Sequence, residues 1–196
     1  MKKLSAILLI ASIGFAGAHY WIHAKAVLAQ YLIAKAWQTT QAQGTPQKPW
    51  QWADTWPVAK LSAHSHDIEQ YVLASASGQS LAFGPGLLSG QESLRKLDSQ
   101  SAGLIIISGH RDTHFRFIEL LKAGDEISIE NDRGAVSTYR VTTAEIKNSE
   151  KEQWLVNTDD SKLKLITCYP FNAINAGGPL RYIVTAEITD NAVIEL

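Results

Sequence analysis

Leu163-Lys164-Leu165-Ile166-Thr167-Cys168-Tyr169-Pro170 is an apolar run that breaks at a proline and carries the chain's only cysteine at its end. Such a run, closed by an X-Pro step, predicts a buried strand that stops at Cys168 and hands over to a loop. Leu104-Ile105-Ile106-Ile107-Ser108 is a second such run, and it leads into Gly109-His110-Arg111-Asp112-Thr113-His114. Working outward, further strands are expected over residues 58–63, 70–74, 81–83, 126–130, 136–146 and 181–188, with the first two runs giving strands at 163–167 and 104–108. Eight short strands with turn signals such as Phe83-Gly84-Pro85-Gly86 between them predict a mainly β domain, closed or nearly closed into an eight-stranded barrel. One or two short helices are expected, over 113–122 and near 89–97.

The 196-residue chain is 45% hydrophobic, enough for one domain of ordinary size with a real core and a short appendage. Its formal net charge is −1 and no block of basic residues occurs, which excludes the electrostatic footprint of a nucleic-acid binder. A single cysteine rules out an internal disulfide, so the compartment must be read elsewhere.

The N-terminus supplies it. Lys2 and Lys3 precede an uncharged stretch, residues 4–18, whose polar members are Ser5 and Ser12. That is the form of an export signal. Ala16-Gly17-Ala18 has the small-x-small form of a cleavage site, but Ile22, Ala26, Ala29, Ile33 and Trp37 continue at helical spacing with no breaker. The expectation is an uncleaved signal-anchor over 1–18, its basic end in the cytoplasm, then an amphipathic helix over 19–40, a linker over 41–49 and the folded domain over 50–196. Trp50, Trp52 and Trp56 open that domain. They read as a packing clamp, or as a peptide-binding or membrane-interface surface.

Three side chains stand at strand ends: His110, Cys168 and Arg181. A thiolate paired with an imidazole is a working acyl-transfer couple, and a guanidinium offers forked donors to an oxyanion. If the strands ending at Ser108 and Thr167 are neighbours, His110 and Cys168 face one another at one rim. The bland reading is a small buried cysteine and a loop histidine. Another is a zinc site of His110, His114 and Cys168. Asp112 is expected to bond the loop or cap the helix after Thr113. His64 and His66 are expected in an exposed loop.

Gly109-His110-Arg111-Asp112-Thr113-His114-Phe115, Leu165-Ile166-Thr167-Cys168 and Gly178-Pro179-Leu180-Arg181-Tyr182 resemble the three signature stretches of sortases, cysteine transpeptidases of bacterial cell surfaces. The residues from Pro49 to Leu61 and the helix before them resemble the sortase branch of Gram-negative bacteria. The resemblance implies a sortase-type β-barrel behind a membrane anchor, with Cys168 as nucleophile, His110 as acid/base and Arg181 as the oxyanion or substrate-orienting group. It implies no cofactor and no metal. The partners it implies are an exported protein with a C-terminal sorting signal, an amine acceptor of unknown identity, and the membrane through the N-terminal helix, with the catalytic domain on the extracytoplasmic side. One departure is Lys164, where the family has threonine; on the strand face of Ile166 and Cys168 it either adds positive potential near the thiolate or, as is expected, extends into solvent at the sheet edge. A cysteine L,D-transpeptidase fits less well, because that family places Ser-His-Gly-Cys directly before an arginine. An anchored, non-catalytic binding module built on the tryptophans is the third reading.

Overall fold

A computed structural model describes residues 2–97, 103–151, 161–173 and 177–192. Helix α1 (Lys2–Gln43) precedes strands β1 (Pro57–Ala63) and β2 (Ile68–Leu73), helix α2 (Gly78–Leu81), strand β3 (Gly86–Ser89) and helix α3 (Gln91–Arg95). Strands β4 (Ile105–Ser108), β5 (Glu126–Asn131), β6 (Val136–Asn148), β7 (Lys162–Cys168) and β8 (Leu180–Ala192) follow. The strands close into a barrel in the order β1-β2-β3-β4-β7-β8-β6-β5, with β5 returning to β1. The expected mainly β, eight-stranded architecture is the observed one.

The apolar runs explain where the core sits. Alternation along β4, β7 and β8 sends Ile105, Ile107, Leu163, Leu165 and Val184 into the barrel. The opposite faces are buried as well, where Leu104, Ile106, Ile166 and Ile183 form a second cluster. Burial on both faces is why β4 and β7 read as continuous rather than alternating apolar runs. These two strands pair in parallel, Ile105 with Leu163 and Ser108 with Ile166, so both end at the same rim.

Two local expectations fail. Residues 81–83 are not a strand: the Ser77 hydroxyl accepts the Ser80 N–H at 3.3 Å and starts α2 instead. The strand lies at Gly86–Ser89, where Gly86 pairs with Ser108 and comes so close to the Ser75 carbonyl that a Cβ would sit 2.2 Å from it. The helix expected over 113–122 shrinks to a 3₁₀ turn at Arg116–Glu119. The N–H groups of Thr113 and Phe115 both bond the His110 carbonyl, at 3.4 and 3.0 Å, which holds the chain in a tight loop before any helix can begin.

Helix α1 docks along the barrel wall. Ala29, Ile33, Ala36, Trp37 and Thr40 are buried at helical spacing, and the Trp37 ring lies 6.1 Å from that of Tyr71 on β2. Its C-terminal end reaches the rim opposite the β4 and β7 termini: Gln41 bonds Glu130 near the end of β5, at 2.7 Å, and Thr40 lies beside Pro57 and Asp132. Gln30, farther toward the N-terminus, donates to the Phe83 carbonyl at 2.7 Å. The helix is continuous across the expected boundary between 1–18 and 19–40. Among the described residues no helix is long and apolar enough to cross a membrane.

Candidate active site

Three adjacent strands, β4, β7 and β8, bring the proposed trio together at one rim. The parallel ladder continues one step past β4, where the Gly109 N–H donates to the Ile166 carbonyl at 3.1 Å. The buried Thr167 hydroxyl then donates to the Gly109 carbonyl at 2.6 Å. Gly109 is locked from a third side, because a Cβ there would sit 2.6 Å from the Phe115 ring. His110 leaves this anchor exposed to solvent. On the other flank, Arg181 stands directly opposite Cys168 in the antiparallel β7–β8 register. Directly opposed residues share a face, so thiol and guanidinium both project outward from the barrel. Cys168 is free and half-buried.

The Arg181 guanidinium is turned onto its own loop, with Nη1 donating to the carbonyls of Gly178 at 2.7 Å and Leu180 at 2.9 Å. The Leu180 carbonyl also accepts the Tyr169 N–H at 3.1 Å, joining the residue after the thiol to the residue before the arginine. Tyr169, Phe171 and Tyr182 pack behind this rim, with Phe171 and Tyr182 centroids 5.1 Å apart. Burial, with Glu119 and Tyr169 nearby, pushes the Tyr182 phenol up.

His114 sits close to His110. Its imidazole is held below the usual histidine range, first by burial and then by His110, against a hydrogen bond to the Ala82 carbonyl. Its own carbonyl accepts from Gln70 at 2.8 Å. Among the described residues no three His, Cys, Asp or Glu side chains converge as metal ligands do, so the His110, His114 and Cys168 zinc arrangement has no donor set.

Sequence reasoning overlooked Arg111. The residue is 4% exposed and bridges the two loops of this rim, with Nη2 donating to the Ala173 carbonyl at 2.8 Å and Nε to Asp112 Oδ1 at 3.4 Å. An arginine in a polar loop reads as solvated, and only the return of the β7–β8 loop over it reveals the burial. Asp112 is therefore a partner of Arg111 rather than a helix cap. Lys164 is not at a sheet edge, because β7 lies between β4 and β8; it is half-buried beside Ile106 and Thr185. His66 is not a free loop residue, since Nε2 lies 3.0 Å from Asp125 Oδ2.

Trp50 and Trp52 line one groove with Asp54, Gln79 and Phe83. Trp50 packs edge-on against Phe83 with centroids 5.0 Å apart, whereas Trp52 is 84% exposed. Trp50 and Trp52 fall in a turn rather than an extended segment, so period-two counting does not apply to them.

A family profile described as the Sortase domain matches residues 61–189. Sortase D of Bacillus subtilis strain 168 is 33% identical over 82 residues, covering 42% of this chain and 41% of that protein. The match thus spans about two-fifths of the length of that curated relative. Sortase A of Corynebacterium diphtheriae superposes with a TM-score of 0.58 at 24% identity, covering 75% of this chain and 66% of that one. Sortase C of Clostridium perfringens, solved with the C-terminal cell wall sorting motif, gives a TM-score of 0.56 at 20% identity, covering 85% of this chain and 90% of that one. At these identities the structural likeness speaks for the fold.

Proposed function

The chain belongs to the sortase family, and from that premise we propose that it is a cysteine transpeptidase acting on the C-terminal sorting signal of an exported protein. The observation that carries the reading is the register: Cys168 faces Arg181 across β7–β8, while the Gly109–Ile166 bond starts the His110 loop beside the end of β7.

In the proposed reaction the Cys168 Sγ thiolate attacks a peptide carbonyl carbon of the sorting signal, and the carbonyl electron pair moves to oxygen. Arg181 leaves its loop carbonyls and donates to that oxyanion. His110, as imidazolium, gives its proton to the departing amine as the C–N bond breaks, leaving a thioester. An incoming amine then loses its proton to His110 and attacks the thioester; as the C–S bond breaks a new amide forms and the Cys168 thiolate is released beside the His110 imidazolium. Water in place of the amine gives hydrolysis.

The N-terminal segment tethers the enzyme to the membrane with its catalytic domain on the extracytoplasmic side. Two lysines before an uncharged stretch support this placement. The Trp-rich entry to the domain and the Ala- and Gln-rich helix before it support assignment to the Gram-negative branch. The test is mass spectrometry of the full chain incubated with sorting-signal peptides. An acyl adduct on wild type that is absent from Cys168→Ala supports the reading, and transpeptidation retained by Cys168→Ala overturns it.

A further inference from the structure

Helix α1 leaves the barrel at the catalytic rim. Its C-terminal end lies at the opposite rim, beside Pro57, Glu130 and Asp132; Trp37 lies at Tyr71 in mid-barrel; Gln30 reaches Phe83; and Ile22 to Val27 face Thr113 and His114 across a groove of about 690 Å³. From Ala29 to Thr40 one face of the helix is covered by the domain, whereas residues 19–28 are exposed all round.

That projecting stretch has the chemistry of a bilayer interface. Tyr20, Trp21, Ile22, Val27 and Leu28 within it, and Tyr31 on the outer face just beyond it, are each more than half exposed. Amphipathic aromatic rings at this density are favoured at headgroup depth, where one end is apolar and the other wet. Lys25 lies with its ammonium 5.0 Å from the Trp21 ring centroid, a cation placed to meet phosphates while its stem stays apolar. The same helix continues N-terminally into the uncharged residues 4–18, which cover about 22 Å at ~1.5 Å per residue, so the aromatic stretch follows the most apolar segment of the chain.

Building on the membrane tether proposed above, we infer that residues 20–25 of α1 seat in the interfacial layer of a lipid bilayer and that α1 holds the His110–Cys168–Arg181 rim facing that bilayer. From Trp21 to Gln30 the helix rises about 14 Å, so the rim stands one to two headgroup depths from the lipid while the β5–β6 turn points away. The occupant of the groove beside His114 is lipid headgroup and interface. A sorting signal carried on a membrane-held protein then meets the thiol without leaving the surface.

Cys168 is the sole thiol, so the full chain takes a donor dye there directly. The reference is a Cys168→Ala, Arg133→Cys protein, labelled at the exposed β5–β6 turn. Both are reconstituted in phosphatidylcholine–phosphatidylglycerol vesicles with an acceptor dye on the headgroups. The expected result is higher energy transfer from Cys168 than from Arg133→Cys. An insertion of about 7 helix-forming residues after Lys25, which lifts the barrel by about 10 Å, should reduce transfer from Cys168. It should also slow turnover of a vesicle-anchored peptide while leaving a soluble peptide unaffected. Equal or reversed transfer in protein that floats with the vesicles overturns the orientation alone. Failure to float overturns the tether as well, and soluble-peptide transpeptidation reports separately on the chemistry.

Discussion

The buried Thr167 hydroxyl holds the Gly109 carbonyl at 2.6 Å, so the residue before the proposed nucleophile supports the residue before the proposed acid/base. Thr167→Val keeps the shape and deletes the donor. The Gly109 carbonyl is then left short of a partner, a loss of about 1–2 kcal/mol. Chemical denaturation should show that loss, and kcat/KM for a sorting peptide should fall with it, while Thr167→Ser should restore most of both.

Arg111 is the second support. Arg111→Met removes the bonds to Ala173 and Asp112 and uncouples the His110 loop from the loop after Cys168. The expected result is a drop in kcat of roughly 10-fold or more, in line with ångström-scale misplacement of catalytic groups. Arg111→Lys should not rescue it, because an ammonium cannot reproduce the planar fork. Full activity in Arg111→Met would show that the two loops hold themselves.

Asp125 predicts a pH dependence. Its carboxyl lies below the usual range, first because of the His66 hydrogen bond and then because it accepts the Lys122 N–H at 2.9 Å. A depressed folded value means stability that is present above the unfolded carboxylate pKa of about 3.9 and lost as pH falls through the lower folded value. Melting temperatures of wild type and Asp125→Asn should therefore differ at pH 6 and converge as acidification carries the pH below the lowered folded value. A gap that widened with acid would refute the assignment.

Tyr139 is fully buried, and among the described residues its hydroxyl has no hydrogen-bond partner. Burial pushes its phenol far above the ordinary range. Tyr139→Phe should leave stability unchanged or raise it by about 1 kcal/mol, since it removes an unpaired polar group at constant shape. A clear loss of stability would reveal a partner for the hydroxyl.

Most of the barrel was legible because its strands carry strong apolar runs. Leu104 to Ser108 and Leu163 to Thr167 announced themselves by composition, and their common rim followed once they were neighbours. The short β3 did not, because Gly86 has no side-chain signal and earns its place through a close backbone approach to Ser75. The loop after His110 looked helical by composition, but the double acceptance at the His110 carbonyl is a tertiary decision fixed by Phe115 packing on Gly109. Arg111 and His66 were missed for one reason: a charged or titratable loop residue looks solvated until a distant segment closes over it.

The parallel pairing of β4 with β7 also sets an order of events. Ile105 must wait for Leu163, and everything between them is synthesised first. Long-range parallel contacts are slow to form because loop closure precedes any reward. A chain emerging N-terminus first therefore displays His110 well before it has a thiol, and His110, Cys168 and Arg181 share a rim only when the last two strands dock. Until then β4 presents an unpaired edge, apolar on both faces, which leaves the half-made molecule most vulnerable to its own copies.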